Sequence, residues 1–550
     1  MFFRTVATSA AILVALAVTG AVAGPAWEPE PVTEHLHMAT SSTAIGGADP
    51  EAGEPGDFEV HETAVTIPLA DGREVGGLLR EPVETGDPDA GTAGEDAGRP
   101  GIVFVHGAGT GKATDAFTLA ATALASAGIT TLVPDKRLDN YSTRHRDYEQ
   151  MARDYSWSVR FLREVPGVDP DDVGLYAESE GAWVSPVMMV DDPRLAFQVL
   201  VSAPVVPPRQ QAAYAVDNYL RNTDVPGGVF RAIPRAVGMK VPGGGFEYAD
   251  FDVRPWLREQ EDPILAVFGT NDASMPLEQG TRELLAHADD VTVRFYERAN
   301  HGINVETPGG LVLHPDFARD VADWVLGLPA TASAPPQVAG AQPEQLYLAN
   351  PVPQPHWYGD GDWLVGVVVT AGGLLVVGPL LLGGVAVAGG VARRRSGRPG
   401  VRLARGLRAP LTGLGVGSVA TMLGLAAYLG AVARLALDYE KNALVVQGGW
   451  IAVRLLGLVA VVAAALLLNR VRDLRLSVAD RGPADAGRAD PVPPDADRAV
   501  PGPADAVRPE PHRPHRAAVA VVSTGFWATV LGATALLVTL AYWGAYQLGI

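Results

Sequence analysis

Ser179 is the residue in this chain best placed to act as a nucleophile. It lies in Tyr176-Ala177-Glu178-Ser179-Glu180-Gly181, where the apolar run Val173–Ala177 gives way to a tight turn and then to a helical pattern, Gly181–Val190. Strand, tight turn, serine, helix is the context of a G-x-S-x-G nucleophile elbow, here with Ala177 at the first glycine position. Small neighbours are needed because such a turn is crowded, and alanine adds only one methyl. The turn also brings the backbone N–H of Glu180 to a helix N-terminus, where it can meet a developing oxyanion. Glu178 precedes the serine on the strand, and its side chain is expected to point away from it.

A serine hydroxyl is a poor nucleophile without a base, and the base needs a carboxylate to orient it. After a nucleophile elbow the chain order should be serine, acid, histidine. Gly269-Thr270-Asn271-Asp272 follows the apolar run Ile264–Phe268, and Arg298-Ala299-Asn300-His301-Gly302 follows Val291–Tyr296. Asp272 alone could be a turn residue and His301 a loop histidine, but two such residues past strand ends in the required order make a far less ordinary coincidence. His314 precedes Pro315 and opens a helix, while Ser202 and Ser185 lack an elbow context. An earlier strand, Gly101–Val105, runs into His106-Gly107-Ala108-Gly109-Thr110-Gly111, whose glycines let N–H groups turn inward. Ala108 is the expected second oxyanion donor. Gly111-Lys112 suggests a phosphate loop, but His106 stands where the first glycine should be and Ala113 follows the lysine, so G-x4-G-K-[ST] is not met.

The elements that must position these residues alternate between strand and helix from about Phe58 to Leu328. Phe58–Pro68 and Arg73–Glu81 flank Asp71-Gly72, a hairpin turn, and a polar loop fills Val83–Arg99. Further strands are expected at Ile129–Pro134 and Ala196–Val201, with helices at Asp115–Ala127, Tyr148–Glu164, Leu277–Ala288 and Pro315–Leu326. The fold class is therefore α/β, a mainly parallel, doubly wound sheet with chemistry at the carboxyl ends of its strands. Residues 203–260 leave this pattern and form an expected cap whose Tyr214, Tyr219, Phe230 and Trp256 either suit a partly hydrophobic acyl group or, equally, only pack on the sheet.

His106-Gly107-Ala108-Gly109, Ser179-Glu180-Gly181, Gly269-Thr270-Asn271-Asp272 and Asn300-His301-Gly302 together resemble the α/β-hydrolase superfamily, in the manner of dienelactone hydrolases and S9-type peptidases. Asp135-Lys136-Arg137 is also similar to these relatives. The resemblance covers about Phe58–Leu328 and implies an α/β-hydrolase fold and a Ser–His–Asp hydrolase that needs no cofactor. Phe58 to Gly101 is too short for the propeller of a prolyl-oligopeptidase-like enzyme, which weighs against a peptidase.

The rest of the 550-residue chain has a different character. Hydrophobic residues make up 47% and charged residues 19%, too apolar for a disordered chain. A formal charge of −19 with no basic domain argues against nucleic acid as a partner. The absence of cysteine removes disulfides, thiolate metal sites and a lipidated N-terminal cysteine. Residues 1–24 read as a signal peptide or N-terminal anchor, with Arg4 before an apolar run and Ala21-Val22-Ala23 after it. Residues 25–57 are expected to be flexible, and 329–362 to be a Pro-rich spacer.

Within residues 363–550, four stretches exceed the roughly 20 residues needed to span a bilayer: Trp363–Val391, Leu411–Leu437, Leu444–Leu468 and Ala517–Leu548. Arg434 can snorkel from the end of its span, whereas Arg454 is deeper and needs an interface or a partner in the bundle. Arginines cluster from Arg393 to Arg408 and from Arg470 to Arg516, which makes those loops cytoplasmic and the segment before Trp363 external. The tract Val478–His515, with His512 and His515, is expected to be disordered.

The expected protein is thus a multi-pass cell-membrane protein with an extracytoplasmic serine hydrolase acting on a small-molecule or lipid-like ester, its helices in contact with membrane lipids. Acyl transfer, an S9-like peptidase and a non-catalytic binding or receptor module are the alternatives.

Overall fold

A computed structural model describes residues 2–48, 53–84, 98–223, 225, 227–354, 359–397, 400–437, 440–479 and 516–548. Most of the polar loop after Val83 and most of the tract after Val478, with His512 and His515, lie outside the described residues. The chain divides into two compact units. One comprises Trp27–Asn222 and Gly243–Pro353. The other comprises Met1–Ala26, Thr223–Pro242 and Gln354–Ile550, and begins with helix α1, Phe2–Val22.

The first unit opens on a hairpin, β1 (Phe58–Pro68) and β2 (Glu74–Glu84), turning at Gly72 with a left-handed φ of +80°. There follow β3 (Arg99–Val105), α2 (Thr118–Ala125), β4 (Thr130–Pro134), α3 (Tyr148–Arg163), β5 (Val168–Glu178), α4 (Gly181–Asp191), β6 (Gln198–Val201) and α5 (Pro208–Asn222). Two short helices, α6 (Gly227–Phe230) and α7 (Ala232–Gly238), belong to the other unit. The chain resumes with α8 (Arg254–Glu259), β7 (Ile264–Gly269), α9 (Leu277–His287), β8 (Val291–Tyr296), β9 (Asn304–Thr307), β10 (Gly310–Leu313), α10 (Phe317–Leu326) and β11 (Val338–Gly340).

Among the described residues, nine strands form one sheet in the order β1-β2-β4-β3-β5-β6-β7-β8-β11. Strand β2 runs antiparallel to both its neighbours, and every pairing from β4 to β11 is parallel. The central strands read as near-continuous apolar runs because helices cover both faces. Leu175 and Ala177 of β5 pack into the layer with Met151, Val159 and Leu162 of α3 and Val184 of α4. Tyr176, between them, enters the opposite layer with Leu124 of α2 and Phe317 and Trp324 of α10. The side-chain period of two thus feeds two cores.

Two segments depart from expectation. The described part of residues 25–57 is not a loose tether: Val32 N–H donates to Leu346 O at 2.9 Å, and Leu36 N–H to the buried Glu278 carboxylate at 2.6 Å. The carbonyl of Thr43 accepts from the buried Arg294 guanidinium at 2.9 Å. The expected spacer likewise contributes β11, parallel to β8, and Pro336 O accepts from Arg294 at 2.9 Å. Glu278 and Arg294 are charges inside the fold, and these flanking segments supply the partners that buried charges require. The expected cap is also divided: α5 and α8 belong to the first unit, α6 and α7 to the second.

The second unit contains α11 (Gly361–Ser396), α12 (Arg408–Leu437), a π-helical turn at Leu444–Gly448, α13 (Gly449–Ala479) and α14 (Arg516–Tyr542). Counting α1, five helices among the described residues are long and apolar enough to cross a membrane. Asp360 caps α11 by accepting from the N–H groups of Asp362 and Trp363, and Gly397 ends it at φ +67°. Small residues let α11 and α14 approach closely; a methyl on Gly378 would lie 2.7 Å from Gly525 O. Helix α1 packs within the same unit. Its Thr8 hydroxyl donates to Asn469 Oδ1 at 3.3 Å, and Arg4 pairs with Asp473 at 3.1 Å. Arg454 has the partner its depth required, donating to Gln547 O at 2.7 Å.

Candidate active site

Ser179 sits between β5 and α4 with φ +56°, a left-handed conformation that a non-glycine residue adopts only under constraint. The constraint is visible on three sides. Its N–H donates to Val201 O at the end of β6, at 2.9 Å. A methyl on Gly181 would lie 2.5 Å from Val105 O, so the residue two after the serine must lack a side chain. A methyl on Gly107 would come within 3.3 Å of both Ser179 Cβ and Glu178 O. Ala177 is fully buried, paired with Val105 and Leu200, and the sheet accommodates its methyl.

Asp272 follows β7 and His301 follows β8, at the same carboxyl edge of the sheet as Ser179. His301 Nδ1–H donates to Asp272 Oδ2 at 2.7 Å, which leaves Nε2 as the free ring nitrogen. Asp272 Oδ1 accepts from the Ser274 N–H at 3.0 Å and its hydroxyl at 2.6 Å. Burial pushes the Asp272 carboxyl up, but His301 and the Ser274 bonds outweigh it and hold it below its ordinary value. The Ser202 hydroxyl donates to His301 O at 2.8 Å, so the end of β6 braces both the serine turn and the histidine loop. Helix α5 braces the acid loop, with Asn218 donating to Ala273 O at 2.8 Å and Gln211 to Ser274 O at 3.0 Å. The Ser179 hydroxyl has no hydrogen-bond partner among the described residues. A serine–histidine bond is often long before substrate arrives.

Glu178 does not behave as alternation suggested. Its two carboxylate oxygens lie 3.9 Å from where methyls on Gly107 and Gly302 would stand, so the group reaches into the space beside His301. Burial raises its pKa, with His301 opposing and Asp272 adding. His301 in turn is pulled down by burial but pushed up by Asp272, through charge and hydrogen bond, and by Glu178, to about 9. Its side chain remains 31% exposed, and water there screens both carboxylates. A general base must be neutral to accept a proton, so if His301 is that base, activity falls as pH drops through the imidazole pKa. The acid limb of a kcat/KM profile is therefore expected between 6.5 and about 9. Glu178→Gln removes one anion and should move that limb to lower pH; an unmoved limb would show that Glu178 does not act on His301.

The loop after β3 is built to hold an exact shape. His106 is buried, which lowers its pKa to about 4; its Nε2–H donates to Pro134 O at 2.7 Å and its Nδ1 accepts from the Thr110 hydroxyl at 3.0 Å. Lys136 N–H donates to Gly111 O at 2.9 Å, and Asp135 accepts from Ala113 N–H at 2.8 Å. Ala108 is exposed at the tip. Neither its N–H nor that of Glu180 has a backbone acceptor among the described residues. Ser185 and His314, by contrast, are absorbed by the fold. The Ser185 hydroxyl donates to Gln198 at 2.7 Å, and the His314 ring packs on Tyr296.

Strands β1 to β8 in the order 1-2-4-3-5-6-7-8, with β2 reversed and a left-handed serine between β5 and α4, decide the architecture. The first unit has the α/β-hydrolase fold. Solved structures similar to the α/β-hydrolase unit include a dienelactone hydrolase from Anabaena variabilis (17% identity, 48% of this chain and 97% of that one, TM-score 0.33). An esterase domain from Rhodothermus marinus is similar at 16% identity over 49% of this chain and 98% of that one, TM-score 0.31. A puromycin-hydrolysing peptidase of Mycobacterium tuberculosis is similar at 19% identity over 53% of this chain but 42% of its own, TM-score 0.34. No protein-family model and no curated protein sequence matches the chain.

Proposed function

We propose that the chain is a membrane-tethered serine hydrolase that cleaves carboxylic esters. The observation that carries the reading is the pairing of a strained, left-handed Ser179 with a 2.7 Å hydrogen bond from His301 to the buried Asp272 carboxylate at one edge of one sheet. Ser179 Oγ attacks the ester carbonyl carbon while His301 Nε2 takes its proton. The carbonyl oxygen becomes an oxyanion, met by the N–H groups of Ala108 and Glu180. The imidazolium, stabilised by Asp272, returns the proton to the leaving alcohol. Water, deprotonated by His301, then attacks the acyl-enzyme, and the carboxylic acid leaves with Ser179 restored. A small-molecule or lipid-like ester is the proposed substrate. A purely binding module would have no use for a fully bonded carboxylate behind a histidine whose second nitrogen is free.

The α/β-hydrolase unit belongs, on this reading, outside the cell membrane. The arginine clusters support that orientation through the positive-inside rule. The pairing of Arg4 with Asp473 supports it too, because both would then lie at the cytoplasmic ends of α1 and α13. Contacts of α1 with α13 also favour α1 as a retained fifth span over a cleaved signal. Five spans exceed what an anchor needs, which keeps acyl transfer to a lipid acceptor as the second reading; product analysis with and without lipid separates the two. The primary test is labelling of intact cells with a membrane-impermeant fluorophosphonate. The expected adduct is on Ser179, on a chain whose mass still includes α1. Labelling elsewhere, or only after lysis, would overturn the nucleophile or the sidedness respectively.

A further inference from the structure

The segment Asp135-Lys136-Arg137, just past β4, stands apart from serine, histidine and acid, yet its lysine is the most deeply committed charge near them. The Lys136 and Glu180 side chains are each 1% exposed, and Lys136 Nζ donates to Glu180 Oε2 at 2.8 Å. The same ammonium donates to the carbonyl of Gly107 at 2.7 Å. Glu180 is bound on its other sides as well, by the Tyr141 hydroxyl at 2.9 Å and by Arg146 at 2.7 Å. A buried ion pair of this kind is weak evidence for stability, since apolar residues of similar volume often do as well. Its position points to a different task.

The Gly107–Ala108 peptide is trans, so the Gly107 carbonyl and the Ala108 N–H point in opposite directions. Lys136 holds that carbonyl toward the buried side, which turns the Ala108 N–H toward the open side, where Ala108 is exposed and its N–H has no backbone acceptor among the described residues. The same Nζ holds the side chain of Glu180, the residue whose backbone N–H is the other donor. We infer that Lys136 is the positioning residue of the oxyanion hole, one ammonium gripping the carbonyl behind the first donor and the side chain of the second. The inference rests on the serine-hydrolase reading above. It assigns Lys136 no contact with substrate. Its effect is on the alignment of two N–H groups, and therefore on the transition state more than on ground-state binding.

The test compares Lys136→Met and Glu180→Gln with the wild type in p-nitrophenyl ester turnover and in inhibition by an aryl trifluoromethyl ketone, whose hemiketal oxyanion occupies the hole. Lys136→Met strands a buried carboxylate and can fail to fold, so the double variant Lys136→Met/Glu180→Met, neutral at both positions, is measured beside it. Removing one oxyanion donor costs about 10²–10³ in kcat, and misaligning one should cost on the order of 10–100. The expected result is a fall of that size in kcat, KM changed by less than about threefold, and ketone affinity lost in proportion to kcat/KM across the series. A folded double variant with wild-type kcat and ketone affinity overturns the inference while leaving the hydrolase reading intact, provided Ser179→Ala is inactive. A fall in KM-type binding alone, with kcat kept, overturns it too. Turnover that survives Ser179→Ala overturns the hydrolase reading, and this inference with it.

Discussion

Alanine in place of Ser179 is expected to lower ester turnover by about 10⁴–10⁶-fold while leaving the fold in place. The large effect is expected because Ser202, which is also left-handed at the end of β6 (φ +49°), has its hydroxyl committed to His301 O and does not replace Ser179. Retention of the fold follows from the bonding, because the Ser179 hydroxyl has no hydrogen-bond partner among the described residues and its N–H bond to Val201 survives the change. Circular dichroism and Tm check the second half of the expectation, and p-nitrophenyl butyrate turnover the first. A folded Ser179→Ala protein with undiminished turnover would remove the nucleophile from the scheme.

Asp272→Asn should cost about 10⁴ in kcat. An asparagine can turn its NH₂ toward His301 Nδ1, which reverses the tautomer and leaves Nε2 protonated and unable to take the serine proton. The substitution also removes the anion that does most to raise His301, so the acid limb of the pH profile should move down together with the loss in rate. Both quantities come from one set of pH–rate measurements. A loss under tenfold would exclude Asp272 as the orienting carboxylate and turn attention to Glu178, the other carboxylate beside the ring.

The positions of Ser179, Asp272 and His301 just past strand ends were legible because each is attached to a strong local signal. Val173–Ala177, Ile264–Phe268 and Val291–Tyr296 are apolar runs with clear ends, and a residue just past a strand end is found by locating the strand. What was hidden depends on contacts between distant segments. Strand β11 has three residues in a Pro-rich stretch, too short for any pattern to announce it, and exists because β8 offers it an edge. The hairpin of β9 and β10, four residues each, escaped for the same reason. Strand alternation aimed Glu178 away from the site, but the left-handed turn at Ser179 breaks the period at the residue where the prediction was applied. Lys136 carried a recognisable motif, yet only the position of Gly107 O gives the motif a task. The divided cap was not readable at all, since α5 to α8 form one continuous interruption of the strand–helix rhythm along the chain.

The lateral strand β11 and the segment that crosses from Trp27 change where this polypeptide can sensibly be cut. A soluble fragment ending at Leu328, where the repeating pattern stops, would strip β8 of its neighbour and leave the strand behind His301 as a bare, adhesive margin. It would also take from the buried Arg294 guanidinium its acceptor at Pro336, leaving it the carbonyls of Val293, Thr43 and Ala44. The unit that carries the sheet therefore reaches from Trp27 to Pro353, 56 residues wider in span than the Phe58–Leu328 that the alternation of strands and helices alone would mark out.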